Sequence, residues 1–181
     1  MGVRFTKKRI NEIRLSYEFR QTKCLEPANQ KHQYLLSQDM EWYSIDLASR
    51  VAYFETNCEQ PGKTPCCFFQ LPFNDFFQAY KYTEELFINN RKKFHPTWRC
   101  YFTQFDGIFV YELEDKNGKF IKGNNYIRTI IPDPPKILAD LPPDVHKAFS
   151  FTKYDGFFHE NETIKIEDLK FFHNPEWPLD S

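Results

Sequence analysis

Glycine is scarce in this 181-residue chain, with six residues against twelve prolines. No glycine-rich loop of the phosphate-cradling kind is present, which removes the commonest nucleotide-binding signatures. No run of about 18 apolar residues occurs, so a membrane-spanning helix is not expected. The amino terminus does not read as a secretory leader, because Arg4, Lys7, Lys8, Arg9, Arg14 and Arg20 interrupt any apolar stretch. A cytoplasmic protein is the expectation. Charge of one sign is also lacking: the formal net charge is -1, which gives the whole molecule no bias toward nucleic acid or acidic membranes.

Aromatics, by contrast, are abundant: 20 Phe, 10 Tyr and 3 Trp within a 41% hydrophobic fraction. They supply a large burial area per residue, and the length suits one domain with one core. Lys and Arg against Asp and Glu number 8 to 4 in residues 1–40, 7 to 7 in 41–105 and 9 to 14 in 106–181. The amino end is therefore basic and the carboxyl end acidic, which makes residues 1–38 a basic extension and 173–181 a tail on a single 1–181 domain.

The spacing of Ile10, Ile13, Leu15, Tyr17 and Phe19 is ambiguous between helix and strand. Trp42–Asp46 and Arg50–Glu55 are β-favouring runs about a short polar turn, as in a hairpin. Residues 56–72, with Pro61, Gly62 and Pro65, read as a loop. Asn74 is a candidate N-cap, Asp75 suits the first turn, and Phe76, Phe77, Tyr80 and Phe87 recur at helical spacing, predicting the main helix over 75–91. Asp106-Gly107 between apolar runs 98–105 and 108–113 predicts a second hairpin. Residues 119–122 and 126–131 extend it into a meander about a turn at Asn117-Gly118, without a crossover helix. Pro132, Pro134 and Pro135 end the last strand. A short helix near 143–149 and a β-like run at 163–166 follow. The expected class is α+β: an antiparallel sheet of about five or six strands packed on one main helix, with short terminal helices.

Five cysteines (Cys24, Cys58, Cys66, Cys67, Cys100) are an odd number, expected as reduced thiols in a reducing compartment. No C-x-x-C pair occurs and Cys66-Cys67 are adjacent, poorly suited to one tetrahedral ion. Neither a metal nor another cofactor is expected. A cysteine nucleophile with His32, His95, His146, His159 or His173 as base has no spacing that singles out a pair. Asp155 with Glu160, and Glu167 with Asp168, read as solvated charges rather than acid–base pairs. Met1-Gly2-Val3-Arg4-Phe5-Thr6 fits the loose myristoylation pattern, with Lys7-Lys8-Arg9 as its electrostatic second signal. Asn161-Glu162-Thr163 fits the glycosylation sequon. Basic residues interleaved with aromatics over 4–20 allow single-stranded nucleic-acid contact, although no zinc-finger, helix-turn-helix or RNA-recognition signature accompanies them.

The run Glu41 to Phe54, a Trp-aromatic-x-hydrophobic-Asp strand, a turn and an Ala-aromatic-Phe strand, resembles the opening of a group of small bacterial proteins. The resemblance resumes at Tyr126–Pro132, at Leu138–Pro142 and over 151–164, about half the chain in the same order. That group is similar to immunity proteins of polymorphic toxin systems. The resemblance implies a cytosolic, non-enzymatic protein that neutralises a cognate toxin by binding it, and it carries no site residues. Many toxins that cut nucleic acid present basic clefts, so Glu112, Glu114 and Asp115 at the meander's tip are the expected partner-binding residues. The alternatives are an enzyme with a dispersed Cys/His or carboxylate site, and a peripheral nucleic-acid or membrane protein acting through the basic amino end.

Overall fold

The structure, a computed structural model, describes residues 3–56, 61–91, 105–113, 115–116, 119–120, 125–166 and 170–179. The chain runs α1 (Lys7–Cys24), α2 (Pro27–His32), β1 (Tyr34–Ser37), β2 (Glu41–Ile45), β3 (Val51–Glu55), β4 (Gly62–Pro65), α3 (Phe73–Arg91), β5 (Phe109–Leu113), β6 (Asp115–Lys116), β7 (Lys119–Phe120), β8 (Asn125–Ile130), α4 (His146–Ser150), β9 (Thr152–Tyr154), β10 (Thr163–Lys165) and β11 (Phe171–His173). This is α+β, as expected. The main sheet has seven strands in the order β10-β8-β5-β3-β2-β9-β11, and β1-β4 and β6-β7 form two-stranded sheets. It exceeds the expected five or six strands and is mixed rather than antiparallel: β3 and β5 run parallel, as do β2 and β9.

The hairpin β2–β3 forms as the sequence indicates, with Trp42 opposite Phe54 and Tyr43 opposite Tyr53. Its turn is organised by Asp46, fully buried, which accepts from the backbone N–H of Ala48 and Arg50 (both 2.9 Å) and of Phe158 (3.0 Å). The Arg50 guanidinium closes the arrangement with Nη2 at 2.8 Å from Asp46 Oδ2. A buried carboxylate with this many charge-assisted donors is tolerated because its lone pairs are filled.

Asp106 and Gly107 do take positive φ, 49° and 79°. The expected hairpin about them does not involve β5, however, because β5 is paired on one side with β3 and on the other with β8. Two parallel neighbours need a crossover, and the chain between β3 and β5 includes α3, so the expectation of purely local connections is corrected. Residues 98–104 and the turn 117–118 lie outside the described residues. The stretch read as a loop contains β4, which pairs with β1. Asn74 is not the cap: helix α3 already begins at Phe73, while Asp75 sits in its first turn and pairs with Lys147 at 3.1 Å. The segment of ambiguous periodicity is helical over Lys7–Cys24, capped by Thr6, whose hydroxyl oxygen accepts from Arg9 N–H.

Alternation along the strands separates two cores. On one face Trp42, Phe54 and Tyr111 stack across β2, β3 and β5, with centroids 3.9 Å and 4.9 Å apart and planes within 13°. Tyr126 of β8 and Phe171 of β11 both meet Phe54 edge-on, at 5.4 Å and 5.5 Å. Strands from both halves of the sheet reach one ring, so the sheet curls round the stack. On the other face Tyr43 packs on Phe149 of α4 and Phe76 of α3, and Tyr53 on Phe87 of α3. Helix α1 lies against α3 through Tyr17 stacked on Phe76 at 4.3 Å.

The cysteine expectation is overturned for one pair. Cys24 and Cys66 are joined as a disulfide with Cα atoms 5.6 Å apart, within the range such a bond spans, while Cys67 is a free thiol. Their meeting depends on the packing of α1 on residues 66–71, which no spacing in the chain reveals. Cys58 and Cys100 lie outside the described residues.

Truncation of the central stack provides a test of the fold. Phe54→Ala should lower unfolding free energy by ~3–5 kcal/mol in urea denaturation, whereas Leu15→Ala on the exposed face of α1 should stay within ~0.5 kcal/mol. Equal losses would mean that the stack is not the core.

Candidate functional site

The register that aligns the stacked rings also aligns their neighbours. Glu41 pairs with Glu55 across β2–β3, and Glu55 with Glu112 across β3–β5. Three glutamates thus stand in a row on the helix-covered face, at one end of the sheet. Like charges directly opposite each other in a sheet disfavour one another, so ionising neighbours in this row are pushed toward their protonated forms.

A cleft with a cavity volume of about 580 Å³ opens over this end of the sheet. One wall is α1, through Arg9, Ile13, Tyr17 and Arg20; the facing wall is α3, through Phe76, Tyr80, Glu84 and Phe87. Tyr53, Glu41 and Glu55 form the floor, and Asp39 and Glu12 the rim. Carboxylates outnumber guanidinium groups on this lining, with Glu12, Asp39, Glu41, Glu55 and Glu84 against Arg9 and Arg20. The volume falls in the usual range for small-ligand or side-chain pockets.

Glu41 is 8% exposed. Its Oε1 accepts from Tyr43 Oη at 2.8 Å and from Thr83 Oγ1 at 3.1 Å. Burial pushes its carboxyl up to about 8, against the opposing pull of the Tyr43 and Tyr53 hydroxyls and with a further push from Glu84 and Glu55. Glu55 has its surface open to the cleft; the surrounding walls, and then Glu112, Glu84 and Asp39, push it up to about 7. Tyr43 and Tyr53 are raised well above the usual phenol value, by burial first and then by these carboxylates. Burial lowers Arg20, offset in part by Asp39. The lining therefore carries two carboxyls that titrate around neutrality, beside aromatic faces and hydroxyl donors.

Of the residues expected to contact a partner, Glu112 lies in the glutamate row rather than at a tip. Asp115 belongs to β6, and Glu114 lies outside the described residues. The sequence reading did not single out Glu41, Glu55 or Glu84; the available signal was two glutamates flanking the Trp42–Phe54 hairpin, which pairing places opposite one another. Among the described residues no group of three or more His, Cys, Asp or Glu could hold a metal ion. Burial pushes the Cys67 thiol up to about 11, against the pull of Thr152 Oγ1 at 3.7 Å from its Sγ, and a raised thiol is the opposite of an activated nucleophile. His146 Nε2 meets Leu141 O at 2.8 Å and His159 faces Glu160 at 3.5 Å; His95 lies outside the described residues. No helix among the described residues is long and apolar enough to cross a membrane.

The fold and cleft define an α+β domain with a curled, mixed seven-stranded sheet and an acidic cleft at one end. Comparison with protein-family models, curated proteins and solved structures finds no match.

The buried acid makes a stability prediction. Because folding raises Glu41 from the ordinary carboxylate value to about 8, the folded state binds more protons than the unfolded state between roughly pH 4.5 and 8. Stability due to this group therefore falls as pH rises through that window. Glu41→Gln, which keeps the shape and the acceptor oxygen, should flatten the decline and exceed the native protein's stability at pH 8–9 by about 1–3 kcal/mol. Superimposable stability curves for the two proteins over pH 5–9 would contradict the assigned shift.

Proposed function

We propose that this chain is a non-enzymatic binding protein that takes a basic segment of a partner protein into the acidic cleft. The observation that supports this reading is the paired glutamates Glu41 and Glu55 on the floor of the cleft, joined there by Glu84 and Asp39. Neighbouring carboxylates push Glu41 and Glu55 up, and a cation seated over this pair favours their ionised forms. Tyr53, Tyr80 and Phe87 line the same space, and aromatic faces beside carboxylates suit the flat guanidinium of arginine or the ammonium of lysine. Immunity-like neutralisation of a toxin is one form of this function, in which the acidic cleft engages and occludes a basic surface of the toxin.

A second reading, an enzyme with a dispersed carboxylate site, is favoured by one observation: Glu41 at about 8 and Glu55 at about 7 lie close to neutrality, as general acids and bases do. It requires a turnover whose pH profile changes near those two values.

The two readings separate in titration with an oligolysine peptide. Cation binding favours the ionised carboxyls, so on the binding reading affinity rises between pH 6 and pH 8.5, and binding releases protons. Glu55→Gln should weaken binding at pH 8 by about tenfold, which is ~1.4 kcal/mol. Affinity unchanged by pH and by that substitution would overturn the binding reading.

A further inference from the structure

We propose that Cys24 and Cys66 form a redox clamp that holds one wall of the cleft in place. That wall is α1, which packs shallowly: of its 18 residues only Tyr17 and Cys24 are buried, Ile10 and Ile13 are partly buried against the core, Arg14 lies over the Phe73 ring at 4.4 Å, and its Leu15 and Phe19 face outward, 58% and 60% exposed. Much of the attachment of the carboxyl half of α1 falls on one short segment, residues 66–71, beside the stack of Tyr17 on Phe76 and the bond from Arg20 Nη2 to Gln38 O. Tyr17 Oη donates to Leu71 O at 2.9 Å, Gln21 Nε2 donates to Phe69 O at 2.9 Å and to Leu71 O at 3.1 Å, and the disulfide from Cys24 to Cys66 joins the same segment. The segment is itself anchored, since Phe68, Phe69 and Leu71 are buried. The covalent link thus fastens a weakly packed helix to a well-packed support, across a sequence separation of 42 residues.

Cys66 is partly exposed whereas Cys24 is buried, so exchange begins at the Cys66 sulfur. Closure uses a small-molecule disulfide as oxidant. The Cys66 thiolate attacks it and expels one thiol, and the Cys24 thiolate then attacks the mixed disulfide and expels the second. The two cysteines lose two electrons and two protons, and the oxidant leaves as two thiols. A dithiol reductant reverses both steps. Cys67 next door does not compete, because burial holds it in the protonated, unreactive form. In the dithiol state α1 keeps only its non-covalent contacts, so it opens more often, and with it the wall carrying Arg9 and Arg20. The clamp stands on these contacts alone; its control of binding rests on the cleft reading above.

The test uses the full chain, equilibrated with glutathione disulfide or with dithiothreitol. Peptide mapping of the oxidised sample should find Cys24 linked to Cys66. Amide hydrogen exchange over residues 17–24 should be at least about tenfold faster in the reduced form. Cys67→Ser should preserve the response, and the Cys24→Ser/Cys66→Ser protein should exchange like the reduced form under both conditions. Finding Cys24 and Cys66 unlinked after oxidation, or equal exchange in the two forms of the native chain, would overturn the clamp. Oligolysine affinity should differ by at least about fivefold between the two forms. Faster exchange with unchanged affinity overturns the control of binding, while failure of oligolysine to bind either form overturns the cleft reading and leaves the clamp supported.

Discussion

The pairing of Trp42, Phe54 and Tyr111 across three adjacent strands is the constraint on which the rest of this molecule depends. Stacked rings 3.9 Å and 4.9 Å apart admit one register of β2, β3 and β5, because a slip of one residue would move every ring to the opposite face. Once that register is set, the neighbouring residues have no choice. Glu41, Glu55 and Glu112 must align on the other face, and the strands at either side, carrying Tyr126 and Phe171, must curl inward to cover the stack. Core packing and the acidic row are two consequences of one alignment.

The two faces of the sheet are therefore used differently. The aromatic face is densely packed, and its ring polar groups are bonded: Tyr111 Oη donates to Asn161 O at 2.7 Å, and Trp42 Nε1 to Tyr126 Oη at 3.4 Å. The helix face is closed over Tyr43 but opens toward Glu55, where α1 and α3 diverge to leave the cleft. Glu41 sits at the boundary, buried enough to hold its proton and still on the cleft lining. Stability and recognition meet at this residue, since the burial that raises its pKa also makes its ionisation responsive to whatever charge enters the cleft.

Helix α1 is the least committed part of the structure. Its basic residues line one side of an otherwise acidic opening; it packs shallowly on α3 through Tyr17 and Arg14, and its buried hydrogen bonds and its covalent link run to the segment 66–71. A wall fastened at few points moves more readily than one packed along its length, which is why the link from Cys24 to Cys66 matters more to this helix than it would to α3.

Much of the architecture was legible in the chain. The β2–β3 hairpin, the helix beginning near Asp75, the short helical piece after Pro143 and the strand at 163–165 all follow from local periodicity and turn chemistry, because each is decided by residues a few positions apart. Positive φ at Asp106 and Gly107 is local in the same sense. Three features were decided by tertiary structure alone. Strand β5 inserts beside β3 rather than pairing with the segment preceding it, a choice made by the fit of Tyr111 on Phe54. Helix α1 resolves an ambiguous pattern by packing Tyr17 on Phe76 of α3, and it brings Cys24 to Cys66. The acidic site joins residues 39, 41, 55, 84 and 112, and in the sequence these are ordinary charges. Only strand pairing and the approach of α3 gather them at one end of the sheet and bury Glu41 among them, and that turns ordinary glutamates into a candidate site.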